Sequence, residues 1–201
     1  EGPHTLTSIF NIADDYDQPP QNITYTCFNK VESIQDTIGV DTTLTLNFLY
    51  GLNNQRVKTT LKRNSTVERV KYFSNGYEED STSLGLKKYH YISAPNGLTA
   101  IFVKQGTGSD TMYHVLTDHL GSLTGVINSE TNVVTNYSYN SWGMPRDPDD
   151  WTSKFEGELF GDRGFTGHEH LSEFHLINMN GRVYDAVLGR FLSPDPYIMF
   201  P

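Results

Sequence analysis

The segment GHEH sets His168 and His170 two residues apart, which on a strand places both on one face. With His175 and Asp162 nearby, the set has the side-chain types of a zinc site. It lacks the i, i+4 spacing of H-E-x-x-H, so hydrogen bonding within the fold is the favoured role. RDPDD (Arg146–Asp150) clusters three acids, but without the glycine and distal glutamate of a calcium loop it reads as a solvated loop. Arg56, Lys58, Lys62, Arg63, Arg69 and Lys71 form a local basic patch, read as a solvated hairpin face or, more sharply, as a face toward bound cargo. Asn22, Asn64 and Asn136 each open an Asn-x-Ser/Thr triplet, which matters only in a secreted eukaryotic protein. No metal or cofactor is expected.

Composition narrows the class. The chain has 201 residues, enough for one domain or two small ones, and 36% are hydrophobic. Twelve Tyr, 11 Phe and 17 Gly suit β-structure with frequent turns. Net charge is −9, with 13 acids against 6 Lys/Arg in residues 101–201, so a nucleic-acid partner is not expected. No apolar run approaches the ~20 residues of a membrane-spanning helix. Cys27 is the single cysteine, so the fold stands on packing and hydrogen bonds. Glu1 opens the sequence where a Met would, and the chain reads as a piece of a longer protein.

The elements that would carry these residues alternate with period two. Gln55–Phe73 reads as a hairpin turning at Asn64-Ser65-Thr66, and Tyr89–Gln105 as another turning at Pro95-Asn96-Gly97. Tyr113–Tyr139 reads as a three-strand meander with turns at Asp118–Ser122 and Asn128–Asn132. Tyr25, Tyr50, Tyr72, Tyr91, Tyr113 and Tyr139 recur at gaps of 19 to 26 residues, which fits two strands and two turns per unit. The expected fold is all-β: hairpin repeats in a winding antiparallel sheet with little helix. Residues 145–161 read as a loop connector, and His168–Glu173 as one helical turn.

Several motifs carry a family resemblance. Tyr184-Asp185-x-x-x-Gly189-Arg190 resembles the repeat of the Rhs/YD-repeat proteins. DHLGS, with Asp118 and Gly121, is similar to their hairpin, and YNSWG, with Trp142 and Gly143, to their Y-D-P-W-G step. Residues 163–197 resemble the Rhs repeat-associated core domain nearly throughout. The resemblance implies a repeat segment over 1–112 and a core domain over 113–201. It implies a segment of a β-shell, related to Tc-toxin C components and teneurins, that encloses or displays a C-terminal toxin or effector. Partners would be the rest of the parent chain, with a secretion apparatus or an immunity protein, and the location secreted or cell-surface. A surface module binding carbohydrate or protein through Trp142 and Trp151 is a further reading.

The same resemblance supplies the catalytic candidates. In self-cleaving relatives the Asp of the D-P step belongs to an aspartyl protease, and by position this maps onto Asp195, with Arg190 upstream as a partner. Such chemistry needs a second carboxylate, so that one acid holds a proton while the other activates water. The family's D-P-x-G-L reads DPYIMFP here. Asp195 as a turn residue between two prolines is the competing expectation. By itself the segment is expected to be structural rather than enzymatic.

Overall fold

The computed structural model describes residues 6–9, 21–106 and 108–195. Among them, twelve strands follow one another in a single antiparallel sheet, each hydrogen-bonded to the next. They are β1 (Ser8–Ile9), β2 (Gln21–Tyr25), β3 (Val31–Ile38), β4 (Thr42–Tyr50), β5 (Arg56–Arg63) and β6 (Thr66–Ser74). Then come β7 (Tyr77–Thr82), β8 (Gly85–Ala94), β9 (Gly97–Gln105), β10 (Thr111–Thr117), β11 (Leu123–Asn128) and β12 (Val134–Asn136). The sheet is open. A short hairpin, β13 (Ser138–Tyr139) with β14 (Pro145–Arg146), follows it. A second sheet holds β15 (Glu169–Leu171), β16 (Leu176–Asn178), β17 (Val183–Asp185) and β18 (Arg190–Phe191).

Local chemistry sets these turns. Asn64 and Ser65 both take positive φ, 47° and 71°, the pair of left-handed residues that a tight hairpin between right-twisted strands requires. Asp118 opens a wider turn: its Oδ1 accepts the backbone N–H groups of Leu120 (2.9 Å) and Ser122 (2.8 Å). Asn140 repeats that design with the N–H groups of Trp142 and Met144, and Asp185 with those of Val187 and Leu188. Each acid or amide thereby satisfies donors that the ladder leaves free.

The layer formed by residues 137–192 lies over one face of the large sheet. Ile34, Leu44, Leu46, Phe48 and Leu61 of β3–β5 pack with Phe174, Leu176, Val183 and Leu192. Tyr89, Ile101, Val103, Val115 and Val126 of β8–β11 pack with Tyr137, Leu159 and Phe160. A fully buried Leu, Ile or Phe contributes about 1.5–3 kcal/mol, so these two clusters supply most of the attraction between sheet and layer.

Two expectations change. His168–Glu173 is not a helical turn: Glu169–Leu171 is a buried strand paired with β16, and a 3-10 turn follows at Ser172–Phe174. Pairing with a neighbouring strand overrides the local preference there. Nor is the basic hairpin solvated as a whole. Leu49 pairs with Lys58 and Tyr50 with Arg56, so Val57 is the extra residue of a bulge. A bulge reverses the alternation, and Arg56 turns toward the layer. Arg69 and Lys71 also face it, whereas Lys58 lies over the Tyr72 ring and Arg63 pairs with Glu68 at 2.7 Å in the open.

Candidate functional site

Between the two apolar clusters, sheet and layer meet through charge. Lys71 on β6 is buried, with its Nζ 2.8 Å from Glu169 Oε1, 2.9 Å from Asp162 Oδ2 and 3.6 Å from Glu78 Oε2. Glu169 also accepts from Arg56 on β5, and Glu78 pairs with Arg163 of the layer. Arg69 holds Asp80 through two bonds, at 2.8 and 2.5 Å, and reaches Asp162 at 2.7 Å. The cluster thus balances Arg56, Arg69, Lys71 and Arg163 against Glu78, Asp80, Asp162 and Glu169. Tyr91 adds a hydroxyl that donates to Glu78 at 3.0 Å.

Burial works against the charge on Lys71, but Asp162 and Glu169 outweigh it and raise its pKa. Burial likewise disfavours the Glu169 carboxylate, yet Lys71, Arg56 and Arg163 outweigh that and hold it well below the usual carboxylate range. Such a cluster contributes little net stability relative to apolar packing, but breaking it is expensive because each member left behind is a buried, unpaired charge. The cluster aligns layer with sheet, since Asp162, Arg163 and Glu169 of the layer each meet an opposite charge on β5, β6 or β7. A cavity of about 20 Å³ beside Lys71, Asp162 and Glu169 has room for roughly one water.

The histidines serve the layer's own fold. His170 Nε2 accepts the Phe165 N–H at 3.0 Å, and His168 Nδ1 lies 2.8 Å from Thr166 Oγ1. Burial lowers the His170 pKa to about 4, so the ring stays neutral and acts as an acceptor. Among the described residues no group of three or more His, Cys, Asp or Glu is placed to hold a metal ion. Asp147 and Asp150 accept hydrogen bonds from residues of their own loop.

The repeat-motif residues fall into three turns. Tyr184, Asp185, Gly189 and Arg190 form one, with Asp185 opposite Arg190 in register and the Tyr184 ring 5.4 Å from that of Phe191. Trp142 and Gly143 form a second that rests on the first. A Cβ on Gly189, whose φ is +63°, would meet the Trp142 ring at 3.3 Å. Asp118 and Gly121 form a third, joined to the layer where Ser122 Oγ accepts the Thr166 N–H at 3.1 Å. Trp142 and Trp151 are both exposed, and the Arg146 guanidinium stands 4.4 Å over the Trp151 ring.

Of the catalytic candidates, Arg190 is exposed on β18, and Asp195 is exposed just beyond it, 3.0 Å from Arg182. The second proline of SPDP lies outside the described residues. Sequence reasoning missed Glu78, Asp80, Arg163 and Glu169, and named Asp162 only beside the histidines. Half of the signal was legible: Glu78 and Asp80 alternate on β7 beside Arg69 and Lys71 on β6, with Lys71 directly opposite Asp80.

An open meander of hairpins with Asp- or Asn-led turns, one face sealed by the chain's own C-terminal layer, defines a shell segment built from repeats. The chain belongs to the teneurin YD-shell family, whose model matches residues 98–200, about half of it. Salivary gland surface protein 1 of Aedes aegypti is 36% identical over 107 residues, covering 53% of this chain and 3% of that protein. The crystal structure of TcdB2-TccC3 superposes with a TM-score of 0.67 at 13% identity, covering 88% of this chain and 9% of that one. The same complex without its hypervariable C-terminal region gives 0.65, again over 88% and 9%. At that identity the likeness is one of fold, and the chain spans a small fraction of each relative's length.

Proposed function

We propose that this chain is the C-terminal end of a YD shell, and that its layer over residues 137–192 closes the sheet from one side. The shell so ended encloses or displays an effector carried on the parent chain, in a secreted or cell-surface protein. The division into a repeat segment (1–112) and a core domain (113–201) belongs to the same reading, and the segment's part is structural. The observation that carries it is the charge cluster at Lys71 and Glu169, where layer and sheet meet in a fixed register between two apolar clusters. The test is limited proteolysis of the parent protein beside its Glu169→Lys variant, with the C-terminal region followed by antibody. Protection of that region in the wild type and its early loss in the variant support closure; equal cleavage in both would sink it.

Release by self-cleavage at a site including Asp195 is the second reading, supported by the exposure of Asp195 a few residues after β18. Intact mass of the parent protein, wild type beside Asp195→Asn, decides it. Cleavage lost in the variant favours a protease; two identical intact masses remove it.

A further inference from the structure

The large sheet ends at β12, and this edge is a liability. β12 pairs with β11 along one side, and among the described residues no strand pairs with its other side. Residues 131–136 are all exposed, with Val133 at 60% and Val134 at 49%. Leu116, 45% exposed, is opposite Gly125, which in turn is opposite Asn136. The edge therefore offers unpaired backbone beside exposed apolar side chains, which is how strands recruit other chains. Natural edges are blunted by charge, proline, bulges or a cover. Residues 133–136, Val-Val-Thr-Asn, carry no charge and no proline.

They do carry a cover's attachment point. Asn136-Tyr137-Ser138 is an acceptor triplet for N-linked sugar. The Asn136 side chain stands on the exposed surface over Gly125, where a Cβ would meet Asn136 Oδ1 and Leu116 Cδ1, each at 3.4 Å. Gly125 thus leaves a shallow dip between Leu116 and Asn136. The other two triplets differ. Asn64 sits in the tight β5–β6 turn with its Oδ1 accepting the Thr43 N–H at 2.7 Å, and Asn22 lies on β2, which is paired on both sides.

We propose that Asn136 bears an N-linked oligosaccharide that shields the β12 edge from pairing with other chains. The proposal rests on the secreted or cell-surface reading above. The donor is an N-acetylglucosamine-headed oligosaccharide on a polyprenyl diphosphate carrier. Asn136 Nδ2 forms a bond to the sugar's anomeric carbon, the bond from that carbon to the diphosphate oxygen breaks, and the carrier leaves with that electron pair. One amide proton is lost to solvent.

The experiment is expression of the parent protein in insect cells, followed by treatment with a glycan-releasing amidase in heavy-oxygen water. Release converts a glycosylated Asn into labelled Asp, read peptide by peptide. The expected result is label at Asn136, absent in Ser138→Ala although Asn136 remains. Ser138→Ala and Asn136→Gln should each lose the mass of one glycan and show more self-association by light scattering. Protein at the surface or in the medium with Asn136 unlabelled overturns the proposal and leaves the location standing. Protein confined to the cell interior without label at any of the three sites overturns both. Label at Asn136 with no change in self-association overturns the shielding role.

Discussion

The Tyr25 hydroxyl lies between two carbonyl oxygens, 2.5 Å from that of Leu6 and 3.0 Å from that of Leu192, which is 167 residues along the chain. One side chain on β2 thus ties the segment just before β1 to the segment just after β18. Leu6 N–H donates to the Leu192 carbonyl at 2.9 Å beside it, so the segments flanking β1 and β18 are hydrogen-bonded at this corner. Tyr50 makes the equivalent reach one repeat later, its hydroxyl donating to the Val31 carbonyl at 2.7 Å, again 19 residues upstream. The repeat's tyrosines act here as cross-strand clamps.

Tyr25→Phe should remove the clamp and keep the ring. A lost hydrogen bond that leaves a half-buried carbonyl short of a donor costs about 1–2 kcal/mol. Amide hydrogen exchange should quicken around Leu6 and Leu192 and stay unchanged in β8–β11. Uniform quickening across both sheets would refute the local role.

Glu169→Gln should weaken the seam severely, by about 3–5 kcal/mol, because Lys71 and Arg56 lose the anion that compensates their burial. Lys71→Met combined with Glu169→Met should cost less than the sum of the single changes, since no lone charge remains between them. Denaturant unfolding of the four proteins measures the coupling, and strict additivity would contradict the arrangement.

Asp36 and His170 should give stability opposite pH slopes. Burial raises the Asp36 carboxyl from 3.8 to about 7, with only the Gln21 amide, 3.2 Å away, favouring its charge. Between those values the unfolded chain gives up a proton that the folded one keeps, so this group's contribution falls as pH rises from about 4 to 7. His170 runs the other way: folded near 4 and ordinarily 6.5, it contributes fully above 6.5 and is lost as pH falls toward 4. Asp36→Asn should therefore leave a protein whose midpoint climbs from pH 4 to 6.5 more steeply than the wild type's. His170→Gln should flatten or reverse that climb. Identical pH profiles in all three proteins would refute both assignments.

Gly189→Ala should destabilise the YD turn by about 1–2 kcal/mol, since alanine resists a φ of +63°. Its Cβ would also press on the Trp142 ring. Tryptophan fluorescence should shift as that ring is displaced. Gly189→Asn, which tolerates the left-handed conformation better, should recover part of the stability. Equal loss with both residues would mean that contact with Trp142, rather than backbone strain, dominates.

Much of the fold was legible because its signals are local. Alternation over Arg56–Arg63 and Thr66–Ser74 marks strands whatever they pair with, and Asn64-Ser65 marks the turn between them. Asp118, Asn140 and Asp185 announce their turns because each bonds backbone within four residues of itself. The Val57 bulge left no local signal: nothing in Arg56-Val57-Lys58 says which residue is extra, and so which way Arg56 points.

The sequence by itself therefore determined an antiparallel meander, its turns and its family, all readable within a repeat length. Only the tertiary structure decided that Glu169 meets Lys71 across 98 residues, that Gln21 donates to the Phe174 carbonyl across 153, and that half the basic hairpin is sealed. Those contacts depend on how the layer folds back over the sheet. That choice is made by the summed burial of Phe174, Leu176 and Leu192 against β3–β5, and no short stretch of sequence contains the sum.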